Sequence, residues 1–355
     1  MDSELIQLND SARQVVNGLG LAAAEDESWS LIADLGWLMV SAPEELGGLG
    51  MGLAGASALH GELGRGLATI PYLPQILAID AVSRSPLAQH EEWLGSMMSG
   101  ERRVTASLGE SFFTIAARDN GELTLSGTAE AIPSADRAGH VLIETAGAGC
   151  VALVDLKQAD VTLTPRPTWD VTRRLYDLQV TDLVLDPQFV LAEGEAAQQM
   201  SQQLLILRDF ALAADSVGGA AALLEMTVEY LQTREQFGRP LALFQSLKHR
   251  CADLQAATEG ALALLQDSIA SAVDATGDVM VNERVEMKAR AAKQLACSAF
   301  AAVAEESLQL HGGIGMTWEH DCHLFLKRAL LNEHLGRRHD SYELGLADLL
   351  MKNLA

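Results

Sequence analysis

The sequence is poor in cysteine, in aromatic residues and in positive charge, and each shortage closes a class of reading. Its four cysteines, Cys150, Cys251, Cys297 and Cys322, are scattered and form no CxxC pair. Neither a disulfide framework nor a clustered metal site is supported. Phe, Trp and Tyr together make 5% of the chain. Ala and Leu abound instead, and such strong helix formers argue against an all-β fold. Lys plus Arg number 25 against 48 Asp plus Glu, a formal net charge of −23. A surface this acidic repels phosphate backbones and anionic lipid, so no nucleic-acid partner is expected. An anionic substrate gains nothing from the overall field, and any phosphate site has to be local. Solubility or a basic partner accounts for the acidity. No apolar stretch of about 18 residues is apparent, and residues 1–10 show no basic start leading into an apolar run. Neither a membrane span nor a signal peptide is expected, and the chain is expected to be cytoplasmic.

What is present is a globular balance, with 48% hydrophobic and 21% charged residues over 355 positions, enough for two or three domains with cores. The texture changes twice. Residues 1–103 read as a helical domain. Leu31, Ile32, Leu35, Leu38 and Met39 predict a helix over 28–40, and a second follows over about 53–64. Between them Ala42-Pro43-Glu44-Glu45-Leu46-Gly47-Gly48-Leu49-Gly50 must be a loop. Residues 104–192 break into short apolar or alternating runs at 122–125, 141–144, 151–154, 161–164 and 176–185, the pattern of a middle antiparallel β domain. Residues 193–355 return to helices, at 198–232, 246–274, 281–309 and 328–350, and predict a C-terminal four-helix bundle. Ala211, Ala214, Asp215, Gly218, Gly219 and Ala222 form a small-residue stripe suited to close helix packing or an interface. The fold class is therefore α+β and multidomain, in the order helical, β, helical.

Two segments carry a resemblance. One is Arg234-Glu235-Gln236-Phe237-Gly238-Arg239-Pro240-Leu241 with Phe244-Gln245 and Lys248-His249. The other is Gln309-Leu310-His311-Gly312-Gly313-Ile314-Gly315-Met316-Thr317 with Glu319 behind it. Both resemble the C-terminal helical domain of acyl-CoA dehydrogenases. Gly36-Trp37 and the run Pro43-Glu44-Glu45-Leu46-Gly47-Gly48-Leu49-Gly50 look like the family's N-terminal domain, so the resemblance spans essentially the whole chain. It implies FAD as cofactor, an acyl-CoA as substrate and an electron-transfer flavoprotein as electron acceptor. In the family these two motifs bind the FAD of a neighbouring subunit. Carried over, the cofactor-binding residues are Arg234, Gln236, Phe237, Gln245, Gln309, Gly312 and Gly313. The chemistry suits the residue types: a guanidinium fork matches phosphate oxygens, and glycines let the backbone approach an anion.

The chain departs from the family elsewhere. Family members hold the flavin ring with a Thr-Glu-Pro to Gly-Ser-Asp stretch and a Gly-Thr-Lys-x-Trp-Ile-Thr stretch. Here the first reads Thr105-Ala106-Ser107-Leu108-Gly109-Glu110-Ser111-Phe112-Phe113. The second reads Gly127-Thr128-Ala129-Glu130-Ala131-Ile132-Pro133-Ser134. Ala131 replaces the aromatic. Pro133 replaces the threonine and supplies neither N–H nor hydroxyl, and Ser134 is expected not to compensate. The reaction removes an α-proton while hydride leaves the β-carbon, which demands a carboxylate base. The family's two positions for its glutamate fall on Arg208, 26 residues before Arg234, and on Gly336. Asp209 is turned about 100 degrees from Arg208 on a helix and should point elsewhere. Asp209 and Glu333 read as solvated helix charges, and Arg208 has Asp209 or a partner to pair with.

Residues serving a neighbour's FAD remain, and those serving the chain's own flavin ring and substrate are gone. By resemblance this implies a subunit without its own catalytic residue, completing the FAD site of a homologous catalytic partner. Bacterial α2β2 heterotetramers of this type often act on steroid side-chain CoA esters. Two alternatives stay open: a self-sufficient homo-oligomeric enzyme using Asp209 or Glu333 as base, and a non-enzymatic scaffold. His311, His320, His323, His334 and His339 cluster in sequence without an HExxH pattern, so no metal site is expected.

Overall fold

The chain is described by a computed structural model that covers residues 3–336, apart from 88, 89, 110, 119–121 and 276, together with 342, 344–347 and 351. Five helices open it: α1 (Ser3–Leu19), α2 (Glu25–Asp34), α3 (Gly52–Arg65), α4 (Tyr72–Ser83) and α5 (His90–Met98). The helix expected over 28–40 stops earlier. Gly36 takes φ 73°, and a short 3-10 turn, Trp37–Met39, carries the apolar spacing onward by burying Trp37 and Leu38.

The middle region forms two four-stranded sheets. One orders β1 (Val104–Ala106), β4 (His140–Glu144), β5 (Cys150–Asp155) and β8 (Val190–Glu193). The other orders β2 (Ser111–Ala117), β3 (Leu123–Pro133), β7 (Leu175–Val184) and β6 (Val161–Arg166). Phe113, Leu125, Ile132 and Leu178 of the second sheet share a core with Val141, Ile143 and Ala152 of the first. The sheets are antiparallel except for β1 and β4, which pair in parallel. The strands β1, β2 and β8 were missed in the sequence, because three buried residues in β1 and an irregular pattern in β2 show no alternation.

The long helix α6 (Gly194–Thr233) then packs with α7 (Gln245–Ala270), α8 (Glu283–His311) and α9 (Cys322–His334) as a four-helix bundle. A two-strand hairpin, β9 (Glu235–Gln236) and β10 (Arg239–Pro240), links α6 to α7. The fourth helix begins six residues before the expected start at 328 and ends at His334, where the chain turns at Gly336 with φ 91°. Part of the remaining expected span to 350 lies outside the described residues. One window of α6 has a mean hydropathy of 1.3, long and apolar enough to cross a membrane by composition, contrary to the expectation that no such stretch exists; 72% of it is buried inside the fold, as in a core helix. Its small-residue stripe packs tightly within the chain. A Cβ on Gly218 would strike the carbonyl of Gly61, and one on Gly64 the carbonyl of Asp215, so α3 and α6 meet backbone to backbone.

Where the three regions meet lies a wholly buried ion network. Arg328 on α9, 0% exposed, donates through Nε to Asp170 Oδ2 at 3.0 Å and through Nη1 to Asp215 Oδ2 on α6 at 3.4 Å. Its Nη2 donates to the carbonyls of Leu67 and Ala68, at 3.3 and 3.0 Å, and to Thr172. Arg173 donates to Asp215 Oδ2 at 3.2 Å, and Asn332 Nδ2 to Asp215 Oδ1 at 2.7 Å. Burial opposes the charge on Asp215, but Arg328 and Arg173 outweigh it and hold the carboxyl below its ordinary range. A buried pair broken by removing one partner leaves a stranded charge, so Arg328→Met should destabilise the fold by about 3–5 kcal/mol in urea denaturation. His60, buried near the same network, is pushed down to about 4, chiefly by burial. The unfolded chain takes up this proton near the ordinary 6.5, so stability is lost as pH falls from about 6.5 towards 4, by on the order of 3 kcal/mol. Denaturation midpoints across that window should slope less in His60→Phe.

Candidate functional site

The two positions at which the resemblance calls for a base meet in space. Arg208 on α6 and Gly336 after α9 both line a cavity of about 230 Å³ between α4, α6 and the β-sheets. Its other walls include Leu77, Ser107, Ser111, Phe113, Glu144 and Leu204. A Cβ on Gly336 would sit 3.1 Å from Cζ of Arg208 and 2.6 Å from the Tyr342 hydroxyl.

Neither position offers a base. Arg208, 7% exposed, donates through Nε and Nη2 to Asp209 Oδ1 at 3.1 and 3.0 Å. Nη2 also donates to Tyr342 Oη at 3.2 Å, and Tyr342 donates in turn to Asp209 Oδ1 at 2.7 Å. Burial works against the charge on Arg208, yet Asp209 and Tyr342 keep the guanidinium protonated beyond its ordinary value. Burial likewise raises the Tyr342 phenol. Lys293 closes the far side, its Nζ 4.2 Å from the centre of the Tyr342 ring, and burial lowers its pKa.

Asp209 is not the solvated charge expected from sequence: it is 3% exposed. It does point away from the cavity, as its helical phase requires, into a small neighbouring void with Glu286, Arg290 and Tyr342. Glu333 is half-buried rather than solvated and lines neither space. Both are poorly placed to serve as base.

The β-domain residues do not fit a flavin ring. The Ser134 hydroxyl is buried and donates to Glu25 Oε2 at 2.8 Å. The carbonyl of Pro133 accepts from Thr105 Oγ1 at 2.7 Å, and Ala131 is buried. No hydroxyl of residues 127–134 lines the cavity; the hydroxyl-bearing residues there are Ser107 and Ser111 of the first stretch.

The other residues named from sequence lie at the far end of the bundle, on the surface. Arg234 closes α6 and is exposed. Gln236 ends β9, and Phe237 and Gly238 form the hairpin turn, both with positive φ (55° and 76°), the signature of a tight primed turn. Phe237 is 90% exposed. The side-chain amide of Gln236 donates to the carbonyl of Glu235 at 2.8 Å, so it is partly engaged within the chain. Gln245 starts α7, next to Phe244, whose ring meets those of Phe237 at 6.0 Å and carries the Arg239 guanidinium at 4.1 Å. Gln309, Gly312 and Gly313 end α8, all exposed, with Gly312 at φ 64°. The two motifs reach the same end of the bundle because Tyr230 on α6 stacks on His311, ring centres 4.5 Å apart. A guanidinium, two exposed amides and a glycine turn are a fitting donor set for a pyrophosphate-bearing cofactor. Apart from the edge of Phe244, Phe237 stands open to solvent among the described residues, and Met316 and Trp318 beside the glycine turn are also 70% and 75% exposed. Among the described residues no group of three His, Cys, Asp or Glu converges as a metal site.

Sequence reasoning anticipated the Arg208–Asp209 pair but missed the part Tyr342 plays in it, the Glu144 wall and the Tyr230–His311 stack. Because Gly336 combines positive φ with a 2.6 Å obstruction, Gly336→Ala should cost at least about 1–3 kcal/mol in thermal unfolding.

The comparisons with known proteins agree with this geometry. Residues 198–336 match the model of "Acyl-CoA dehydrogenase, C-terminal domain" and residues 11–101 that of "Acyl-CoA dehydrogenase, N-terminal domain". The chain is 32% identical over 303 residues to acyl-CoA dehydrogenase IpdE2 of Mycolicibacterium smegmatis, covering 85% of this chain and 80% of that one. Among solved structures it is similar to a variant of the Tcur3481-Tcur3483 steroid ACAD, at 26% identity and TM-score 0.86, covering 99% and 98% of the two chains. The ChsE4-ChsE5 complex from Mycobacterium tuberculosis shares the fold, at 24% identity and TM-score 0.86 over the same shares.

Proposed function

Because the chain belongs to the acyl-CoA dehydrogenase family, an FAD-dependent group of oxidoreductases acting on acyl-CoA, we propose that it is the non-catalytic subunit of a heteromeric acyl-CoA dehydrogenase. Its role is to grip the nucleotide end of a cofactor whose ring lies in a homologous partner. The partner supplies the glutamate. The observation that carries this reading is the contrast between two sites on one helix. Arg208 is locked by Asp209 and Tyr342 where a base would stand, whereas Arg234 is open to solvent at the other end. FAD, when bound, would supply hydride acceptance from the acyl β-carbon and onward electron transfer to an electron-transfer flavoprotein. In this chain Arg234 pairs with phosphate, Gln245 and Gln309 offer amide donors, and the Gly312–Gly313 backbone allows close approach. Phe237 supplies an apolar face at the subunit boundary.

The partner assignment draws support from a relative named as a Tcur3481-Tcur3483 pair, and that name also contains the word steroid. A CoA thioester with a steroid side chain is accordingly the substrate class we favour. The α2β2 stoichiometry is part of the same proposal. Neither acid named from the sequence is placed for the role of base: Asp209 faces away from the cavity and Glu333 stands outside it.

Co-expression with a homologous catalytic subunit should give a yellow complex with about one FAD per pair of chains, measured by flavin absorbance against protein. Arg234→Ala should lower the FAD affinity of the complex by about tenfold or more, the loss of one charge-assisted phosphate contact. A lone chain that holds its full FAD and oxidises a thioester unaided defeats the proposal.

A further inference from the structure

The two cofactor motifs stand 75 positions apart, counted from Arg234 to Gln309, and something must set their spacing. Tyr230 and His311 lie one helical turn and one residue, respectively, from Arg234 and Gly312. Their rings stack at 4.5 Å with an interplanar angle of 27°. The Tyr230 hydroxyl donates to the His311 carbonyl at 3.3 Å, and the Tyr230 carbonyl accepts from the Arg234 N–H at 2.8 Å. A continuous path thus runs from the motif arginine through two aromatic rings to the glycine turn.

His311 is 3% exposed and its two nitrogens are unequal. Nδ1 lies 2.8 Å from the Ser307 carbonyl, which only accepts, so Nδ1 carries the hydrogen of the neutral ring. Nε2 is buried without a partner. The titratable groups facing the ring are Tyr230 from α6 and His320 from the loop ahead of α9, whose ring centre is 4.3 Å away. His320 Nδ1 in turn accepts from the Cys322 N–H at 3.2 Å. No carboxylate among the described residues acts on His311. Burial holds its pKa below the ordinary value, and His320 adds to the effect.

We propose that the Tyr230–His311 stack is the joint that fixes the two motifs relative to one another, so that His311 is a positioning residue for the nucleotide end of FAD and makes that grip proton-sensitive. This rests on the reading that Arg234 and the glycine turn hold FAD. A second proton on His311 has no buried acceptor and no counter-ion, so it is admitted only when the stack opens. The closed joint is favoured while the ring is neutral. As pH falls below the ordinary histidine value, the opened form takes up the proton and is favoured instead.

The test uses the co-expressed complex, with FAD dissociation constants measured by flavin fluorescence between pH 7.5 and 5.5. A ring that titrates near 6.5 only when the joint is open weakens binding by up to about tenfold at pH 5.5. Wild type should show this loss. His311→Phe keeps a stacking ring without the titration, and should bind FAD as wild type does at pH 7.5 and stay flat to pH 5.5. His311→Ala should bind weakly throughout, and His320→Phe should keep the slope. A slope that persists in His311→Phe, that is absent from wild type or that vanishes in His320→Phe overturns the joint. So does undiminished binding in His311→Ala while Arg234→Ala still loses flavin. If Arg234→Ala leaves the FAD content unchanged, or no co-expressed complex holds FAD, the underlying reading falls, and the joint with it.

Discussion

A single desolvated guanidinium holds the three regions of this chain in one arrangement. Arg328 has no access to water, and a charge in that position must be answered by protein groups. The answers come from the segment after α3, from the loop between β6 and β7, and from α6. All must arrive together, because a charge left half-satisfied is worse than none. The arrangement explains why a β domain with a core of its own is fastened to two helical layers. It also sets the relation of β1, β4 and α6, between which the cavity at Arg208 lies.

The helix α6 has two arginines with opposite fates. They are 26 residues apart, which is roughly 39 Å along a helix axis. At the inner one the charge is used up: Asp209, Tyr342 and the approach of Lys293 turn a place for chemistry into a packed, polar joint. At the outer one the guanidinium is exposed, near an aromatic ring, Phe237, that is 90% exposed. A long core helix is well suited to this, since backbone-to-backbone packing against α3 fixes its length and phase.

Much of this was legible in the residues. The order of helical and β regions followed from a change in hydrophobic period, and the two motifs, 75 positions apart in sequence, come together at one end of the bundle. The direction of Asp209 followed from helical phase alone. Its burial did not, because pairing with Arg208 and Tyr342 depends on a contact 133 residues away in the chain. The break in α2 was hidden because a 3-10 turn continued the same apolar spacing. The ion network was invisible for the same reason as the cavity: Asp170, Asp215 and Arg328 look like surface charges until three separate regions bring them together.

The seat of Gly336 bears on what can stand there. Its backbone is left-handed, the space where a side chain would begin is filled by a phenol, and the opposite wall is a guanidinium already paired. A side chain at position 336 has to displace the Tyr342 hydroxyl and press on the Arg208 guanidinium, so a carboxylate placed there would disturb three residues at once. That corner is closed by its shape as much as by its charge: the backbone and the phenol together leave a seat that only a hydrogen atom fills.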